Sequence, residues 1–267
     1  MQQKRVEGAR EIHSSLAQTC CPIVELRQYT LHPGMRDSLI DLFDREFVES
    51  QEALGIRVIG QFRDLDDPQR FVWLRGFRDM PTRAEALGAF YGGPIWKAHR
   101  EAANATMIDS DNVLLLRPAS PCSGFVLEYK HRPPVGAKKL SNTFVVATIY
   151  YFDEPVSAVF LDFFENELKP SLNSNGASIL GCFTTEESEN SFPALPVREN
   201  ENVFVWFARF DDSNAYEHHE DAVAQSEAWR GRISKKLADY VKRPFEVRRL
   251  SPTTRSLLGR QTYSPLT

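Results

Sequence analysis

The sequence predicts an α+β fold in which two ferredoxin-like β-α-β-β-α-β units follow one another and pack as a pseudo-dimeric α/β barrel. First, "RFVWLRGFRDM" at 70–80 matches "VFVWFARFDDS" at 203–213 with an offset of 133 residues. Second, positions between Tyr29 and Phe62 match later positions with an offset of 121 residues. Third, strand-like and helix-like patterns occur in the same order in both halves. The offsets differ by 12 residues, which predicts an insertion at about 185–202 that forms an extended hairpin loop.

The hydrophobic pattern of the first half predicts its elements in turn. "IVELRQYT" has the alternation of a strand, and a helix follows because apolar residues recur on one face. Those residues are Leu39, Ile40, Phe43 and Phe47. "IRVIGQFRDL" and "FVWLRGF" flank the turn "DDPQ" and predict a hairpin. A second helical region at 82–107 is interrupted by "GGP" at 92–94, where Pro94 can begin a new helix, and "NVLLLRPA" is the closing strand.

The second half predicts the same elements. Its helical stripe consists of Val156, Val159, Phe160, Phe163, Phe164 and Leu168. "RPFEVRRL" is its last strand. We therefore divide the chain into a flexible N-terminal tail (1–21), a first repeat (22–118), a linker (119–141), a second, diverged repeat (142–250) and a C-terminal tail (251–267). The linker is apolar at Phe125–Tyr129, which is consistent with one extra short strand.

A single ferredoxin-like unit leaves one face of its four-stranded sheet uncovered. Two units in one chain can cover each other with the helices outside. We therefore expect either a monomer with an internal pseudo-dimer or a homodimer.

Composition excludes several classes of protein. The formal net charge of −4 argues against a nucleic-acid-binding protein. No apolar run approaches the roughly 20 residues of a membrane-spanning helix. The 4 cysteines contain no C-x-x-C pair, which argues against a disulfide framework or a zinc site and favours a reducing, cytoplasmic location. Nucleotide, flavin and serine-hydrolase motifs are absent from the sequence, so no cofactor is expected.

His218 and His219, in "YEHHED", could suggest a metal site. Adjacent residues on a helix point about 100° apart, and neighbouring carboxylates suit an exposed polar face better. We therefore expect no metal site.

The two halves differ in a group of charged residues. A residue type found in both halves is expected to serve the architecture, whereas one found in a single half needs another reason. Glu25, Arg27 and Arg75 align with Val146, Thr148 and Ala208. One interpretation is a structural ion network. The other is that the two arginines hold an anionic ligand such as a carboxylate, which suits the planar guanidinium group.

Aromatic residues and one histidine complete the candidate site. The expected ligand-binding residues are Arg27, Tyr29, Trp73, Arg75, Tyr91 and Trp96. The tryptophans recur in the second half, which favours a packing role. His99 is the candidate general base because it lies beside the "GGP" break and its ordinary pKa is near neutrality, although a lone histidine on a helix is more often a surface residue.

Three segments resemble the NIPSNAP family, within the dimeric α/β-barrel group: "VELRQYTLHPG" (24–34), "GIRVIGQFRDLDDPQRFVWLRGFRDM" (55–80) and "YGGPIWKAHR" (91–100). The resemblance covers 22–118 and continues through 142–250, mainly by "NVFVWFARFDD". It implies a barrel group that includes cofactor-independent oxygenases, haem-degrading enzymes and isomerases. NIPSNAP members lack a settled activity, and eukaryotic members are linked to mitochondria and vesicle traffic. The resemblance thus implies a mitochondrial location if the chain is eukaryotic.

Two functions remain open at this point. The first is a barrel that binds a small aromatic or acidic metabolite, with cofactor-independent oxygenase or isomerase chemistry as an option. The second is a non-catalytic scaffold whose partner surface is the 185–202 insertion or the linker. A buried Arg–His pocket would favour the first, and a solid core in which Glu25 satisfies both arginines would favour the second.

Overall fold

The computed structural model describes residues 19–127, 132–138, 142–241 and 243–259. Most of the predicted N-terminal tail, the end of the apolar linker stretch and the end of the C-terminal tail lie outside these residues. Within them, nine strands are present, and eight of them form a closed antiparallel barrel with the helices outside. The predicted fold class is confirmed.

The first half follows the predicted order. Its strands are β1 (Ile23–Leu31), β2 (Arg57–Asp64), β3 (Arg70–Phe77), the short β4 (Met107–Asp109) and β5 (Val113–Pro118). Its helices are α1 (Arg36–Leu42), a π-helical turn (Phe43–Phe47), α2 (Val48–Glu52), α3 (Met80–Gly92) and α4 (Pro94–Asn104). The break at Gly93 and the new start at Pro94 agree with the sequence pattern. The sequence did not predict β4, which extends the end of β1 outside the ring.

The second half has a similar order. Its strands are β6 (Phe144–Phe152), β7 (Ser178–Thr185), β8 (Asn202–Phe210) and β9 (Glu246–Pro252). Its helices are α5 (Ala158–Phe163), a π-helical turn (Phe164–Leu168), α6 (Lys169–Ser174), α7 (Ser213–Gln225), a π-helical turn (Trp229–Ile233) and α8 (Ser234–Tyr240). Val159 departs from the expected stripe: it is 65% exposed, because α5 begins only at Ala158 and turns this position toward solvent.

The ring is closed by pairings between the halves. Its order is β1, β3, β2, β9, β6, β8, β7 and β5, with β5 returning to β1. The pairs β2–β9 and β5–β7 join the two halves. Because side chains alternate along a strand, Val24 and Leu26 of β1 point into the barrel, where they meet apolar residues of both halves. Glu25, Arg27 and Tyr29 consequently point outward, under the helices.

Gly60 and Gly181 occupy equivalent bulges in β2 and β7. A Cβ at Gly60 would lie 2.6 Å from the Phe62 ring, and one at Gly181 would lie 2.9 Å from the Phe183 ring. Glycine is therefore required at both bulges because the following phenylalanine folds back over the backbone.

A segment after the last strand of each half packs against the other half. Ala119 donates its N–H to the Cys182 carbonyl, and Phe125 packs against Phe183 and Phe207. In the other direction, Thr253 and Leu257 donate to carbonyls of β2, and the described residues Thr253, Arg255 and Ser256 are buried. These segments hold the two halves together in addition to the strand pairings.

The segment 253–259 also covers Asp44, a buried carboxyl of the first π-helical turn. Arg255 binds the Asp44 carbonyl and Glu49, and the Gln61 amide donates to Asp44 Oδ1 at 3.2 Å. Burial raises the pKa of the Asp44 carboxyl to about 6, although Arg255 and Arg132 act to lower it. Relative to the unfolded chain, the folded protein therefore disfavours the ionised form of this carboxyl.

We expect Asp44→Asn to stabilise the protein at pH 8 and to have little effect at pH 4. An unfolded aspartate has a pKa of about 3.9. Ionised Asp44 therefore lowers the free energy of unfolding by an amount that increases as the pH rises from about 4 to 6. Asparagine has no charge at this position, so the substitution should raise the free energy of unfolding by about 2 kcal/mol at pH 8. Urea unfolding of the wild type and the variant at the two pH values measures the difference in the free energy of unfolding. Asp239→Asn, on an exposed position of α8, is the control and should change stability by less than about 0.5 kcal/mol. An equal effect of Asp44→Asn at both pH values would contradict the expectation.

Among the residues that the structure describes, no helix is both long and apolar enough to cross a membrane.

Candidate functional site

A cluster of charged side chains lies under the helices of the first half. Glu25 Oε2 accepts hydrogen bonds from Arg27 Nη1 at 2.6 Å and from Arg75 Nε at 2.7 Å. Its other oxygen, Oε1, accepts one from Arg83 Nε at 2.7 Å. All four side chains are at most 1% exposed. The sequence predicted the first three members, and the fold adds Arg83.

The cluster carries more positive than negative charge. Three arginines share the single carboxylate of Glu25, which leaves an excess of two positive charges within the described ion pairs. Burial alone would raise the pKa of the Glu25 carboxyl, but Arg75, Arg27 and Arg83 hold it well below its ordinary value. For Arg83, burial lowers the pKa of the guanidinium and Glu25 opposes this effect. A buried charge excess of this kind is costly unless an anion compensates it.

Several donors of this region have no partner. Within the described part of the chain, Arg75 Nη2, Arg83 Nη2 and Trp73 Nε1 are buried and make no hydrogen bond. Buried donors are normally satisfied, so an unpaired group indicates a missing partner or a tolerated cost. All three are donors, which suits an acceptor such as a carboxylate.

A small aromatic cavity adjoins the cluster. It has a volume of about 40 Å³, enough for a group of a few atoms. Its wall consists of Tyr29, Leu39, Phe43, Phe47, Gln51, Trp73, Phe90, Tyr91, Trp96, Ala103 and Met107. Arg75 links the cavity to the cluster, because its Nη1 donates to Gln51 Oε1 at 3.2 Å and to the Tyr91 hydroxyl at 3.5 Å.

The two ends of α3 determine where the site residues on α3 and α4 lie. Asp79 caps α3 by accepting from the Thr82 N–H at 2.8 Å, and the Thr82 hydroxyl accepts from the Asp79 N–H at 3.2 Å. Arg83 follows directly, in the first turn of α3. At the other end, a Cβ at Gly93 would lie 2.7 Å from the Ala89 carbonyl oxygen, so the turn out of α3 requires glycine there. Tyr91 and Trp96 lie on either side of this break, with ring centroids 4.9 Å apart.

The equivalent layer of the second half is uncharged. The backbone pair Glu25–Arg75 of β1 and β3 corresponds to the pair Val146–Ala208 of β6 and β8. At the same offsets, Gln51 corresponds to Leu172 and Arg83 to Tyr216. The fold can therefore fill this position without charges, which means that the fold alone does not account for the charged cluster.

His99 lies away from this centre. Its Nε2 is 3.4 Å from Glu46 Oε2, its ring packs against the edge of Phe47, and it does not line the cavity. The second half has a similar pair at the equivalent positions, with Arg232 Nη1 3.3 Å from Glu167 Oε2. This correspondence favours a helix-to-helix contact as the role of His99.

The structure thus brings six of the seven predicted site residues together and leaves His99 at the margin. Gln51 and Arg83 were not among the site residues predicted from the sequence, although their counterparts in the second half, Leu172 and Tyr216, are uncharged. Contacts from the 185–202 insertion were not predicted either, because no local pattern shows where a loop packs. His219 Nδ1 lies 2.7 Å from the Asn175 carbonyl oxygen, and no group of three metal-ligating side chains occurs in the described residues.

Residues 24–123 match the NIPSNAP family. No functionally curated protein matches the chain. A candidate monooxygenase from Fusobacterium nucleatum has 13% identity and a TM-score of 0.51, over 87% of this chain and 92% of its own. An anthrone oxidase-like protein has 12% identity and a TM-score of 0.52, over 86% of this chain and 91% of its own. A NIPSNAP family protein from Agrobacterium tumefaciens has 23% identity over 37% of this chain and 93% of its own, with a TM-score of 0.35.

The two similarities that extend over most of the chain show a shared barrel fold and do not assign an activity. The family match covers the part of the chain that carries the charged cluster and the aromatic cavity. The chain contains a NIPSNAP domain at residues 24–123, as its sequence motifs predicted.

Proposed function

We propose that the first half binds a small anionic metabolite with an aromatic part, between its sheet and its helices. The observation that supports this is the cluster of three buried arginines sharing one carboxylate, beside an aromatic cavity, at a position that is uncharged in the second half. The excess charge favours an anion, and the unpaired donors of Arg75 and Trp73 can bind its oxygens.

The cavity limits what fits without movement. At about 40 Å³ it admits a carboxylate-sized group but not a whole aromatic acid. We propose that the carboxylate of the ligand lies near Arg75 and its ring against the aromatic wall, after a local opening of the covering elements.

Catalysis would need a further group. A cofactor-independent oxygenase or isomerase requires a base that removes a proton from the bound substrate. The residues that line the cavity include no carboxylate and no histidine. His99 remains our candidate base for such a reaction, and its side chain would have to turn away from Glu46 to reach the substrate.

We expect benzoate, an aromatic carboxylate, to stabilise the protein and its neutral analogue benzyl alcohol not to do so. Benzoate at ten times its dissociation constant should raise the melting temperature by about 3 °C. Arg75→Met removes the charge at the cavity and should abolish the benzoate shift. Thermal denaturation monitored by fluorescence measures both.

Arg78→Met is the matched control, because Arg78 is 80% exposed just beyond the end of β3 and its loss changes the net charge equally. Equal shifts with benzoate and benzyl alcohol, or a full shift in Arg75→Met, would refute the proposed anion site. Native and then denaturing mass spectrometry of the purified protein would identify a ligand that copurifies.

A non-catalytic scaffold is the second candidate. It is favoured by one observation: Glu25 already hydrogen-bonds both predicted arginines, as expected for a structural network. A protein that binds no anion in the experiment above would support this function.

Cys20, Cys21, Cys122 and Cys182 are free thiols, which supports the proposed cytoplasmic location.

A further inference from the structure

We propose that residues 186–198 of the second half, here named the strap, form the removable cover of the first-half site. In this proposal Asn190 and Ser191 are positioning residues for Arg83, and Phe192 is the residue that determines which ring fits beside Tyr91. The role in ligand selection rests on the proposed function, whereas the role as a cover can be tested without a ligand.

The strap lies within the 185–202 insertion that the sequence predicted as a hairpin loop, and both of its ends are fixed to β5 of the other half. The Glu186 N–H donates to the Leu115 carbonyl at 2.9 Å, and the Arg198 N–H donates to the Val113 carbonyl at 2.8 Å. Thr185 Oγ1 donates to the Glu201 carbonyl at 2.7 Å and closes the base of the loop. The ends are therefore held by backbone bonds, independently of the tip.

The tip of the strap, residues 190–195, has its own internal hydrogen bonds. Asn190 Nδ2 donates to the Leu195 carbonyl at 2.9 Å, and the Phe192 N–H donates to Asn190 Oδ1 at 3.1 Å. The Leu195 N–H donates to the Phe192 carbonyl at 3.0 Å. A tip with this many internal bonds can move as a unit while its two ends stay attached to β5.

The tip contacts the site through hydrogen bonds to Arg83 and through an aromatic contact with Tyr91. Arg83 Nη1 donates to Asn190 Oδ1 at 3.0 Å and to Ser191 Oγ at 3.1 Å. Phe192 stacks on Tyr91 with ring centroids 6.1 Å apart and an interplanar angle of 21°. Phe192 and Leu195 are only partly buried where they pack against the first-half core.

These contacts connect the strap to both parts of the site. Arg83 is the third arginine on Glu25, and Tyr91 lines the cavity and meets Arg75. Displacement of the tip would expose Arg83 and leave the face of Tyr91 open to a flat ring. An aromatic acid could then stack where Phe192 now lies, with its carboxylate toward the arginines.

The cover is tested by chemical modification of arginine with phenylglyoxal, followed by peptide-resolved mass spectrometry of the full chain. In the wild type Arg83 should be protected and the exposed Arg78 modified. In the triple variant Asn190→Ala, Ser191→Ala and Phe192→Ala, Arg83 should react at least tenfold faster. Glu189→Ala, an exposed change next to the tip, should leave Arg83 protected.

Continued protection of Arg27 and Arg75 would show that the variant is folded, so that any exposure of Arg83 is local. If Arg83 stays protected in the folded triple variant, the strap is not its cover and the inference fails. A variant that loses protection at all three arginines has unfolded, and the single change Phe192→Ala then replaces it under the same two outcomes.

Benzoate binding separates this inference from the proposed function. Phe192→Ala should change the affinity for benzoate at least threefold relative to Glu189→Ala, whereas an unchanged affinity would overturn the selective role of Phe192. If the wild type shows no benzoate binding, the proposed function fails and the selective role of Phe192 fails with it. The cover is then judged by the reactivity of Arg83 alone.

Discussion

Glu25→Gln is expected to destabilise the protein by about 3–5 kcal/mol, because it removes the only carboxylate described beside three buried arginines. A loss of this size corresponds to a fall in melting temperature of about 10 °C for a chain of this length. The pKa of the Glu25 carboxyl lies below its ordinary value. Its stabilising effect is therefore complete above about pH 4.3 and is lost as the pH falls toward the lower folded pKa. Wild type and variant should thus converge in stability in acid.

Urea unfolding at pH 7 and at acidic pH measures this difference. Glu46→Gln is the matched control, because Glu46 pairs with His99 at the partly exposed helix surface and its loss should cost less than about 1 kcal/mol. A Glu25→Gln variant that loses no more than the control would show that the arginines do not depend on this carboxylate.

Removal of the whole cluster should cost less than removal of its carboxylate alone. A five-fold variant would give the first half the residues of the second: Glu25→Val, Arg27→Thr, Gln51→Leu, Arg75→Ala and Arg83→Tyr. Well-packed apolar groups of similar volume can replace a buried ion cluster without loss of stability, whereas a buried charge left without its partner costs about 3–5 kcal/mol. We expect the variant to unfold at a higher urea concentration than Glu25→Gln, because none of the three arginines remains, and to show no stabilisation by benzoate.

The two variants together separate stability from binding. Glu25→Gln alone serves as the comparison, since it retains the arginines but removes their partner. If the five-fold variant is less stable than Glu25→Gln, the cluster is required for folding and the scaffold interpretation gains support. If it is stable and binds benzoate as the wild type does, the anion site lies elsewhere.

The sequence alone predicted the barrel and much of the site. Alternation and helical periodicity are local properties of the chain, so most strands and helices and the break at Gly93 could be predicted from them, whereas the short β4 could not. The comparison of the halves predicted Arg27 and Arg75 as unusual, because their counterparts Thr148 and Ala208 are uncharged. It also assigned Trp73 and Trp206 to packing, and both are buried.

Only the tertiary structure decided how these residues combine. Arg83 reaches Glu25 across 58 positions of sequence, and Asn190 reaches Arg83 across 107. Such contacts depend on how α3 and the strap dock, which no local pattern encodes. The size of the cavity and the outward position of His99 have the same origin, since both result from the packing of helices against the sheet. Sequence periodicity thus determined which face of each element is buried, whereas the docking of distant segments decided what each buried charge meets.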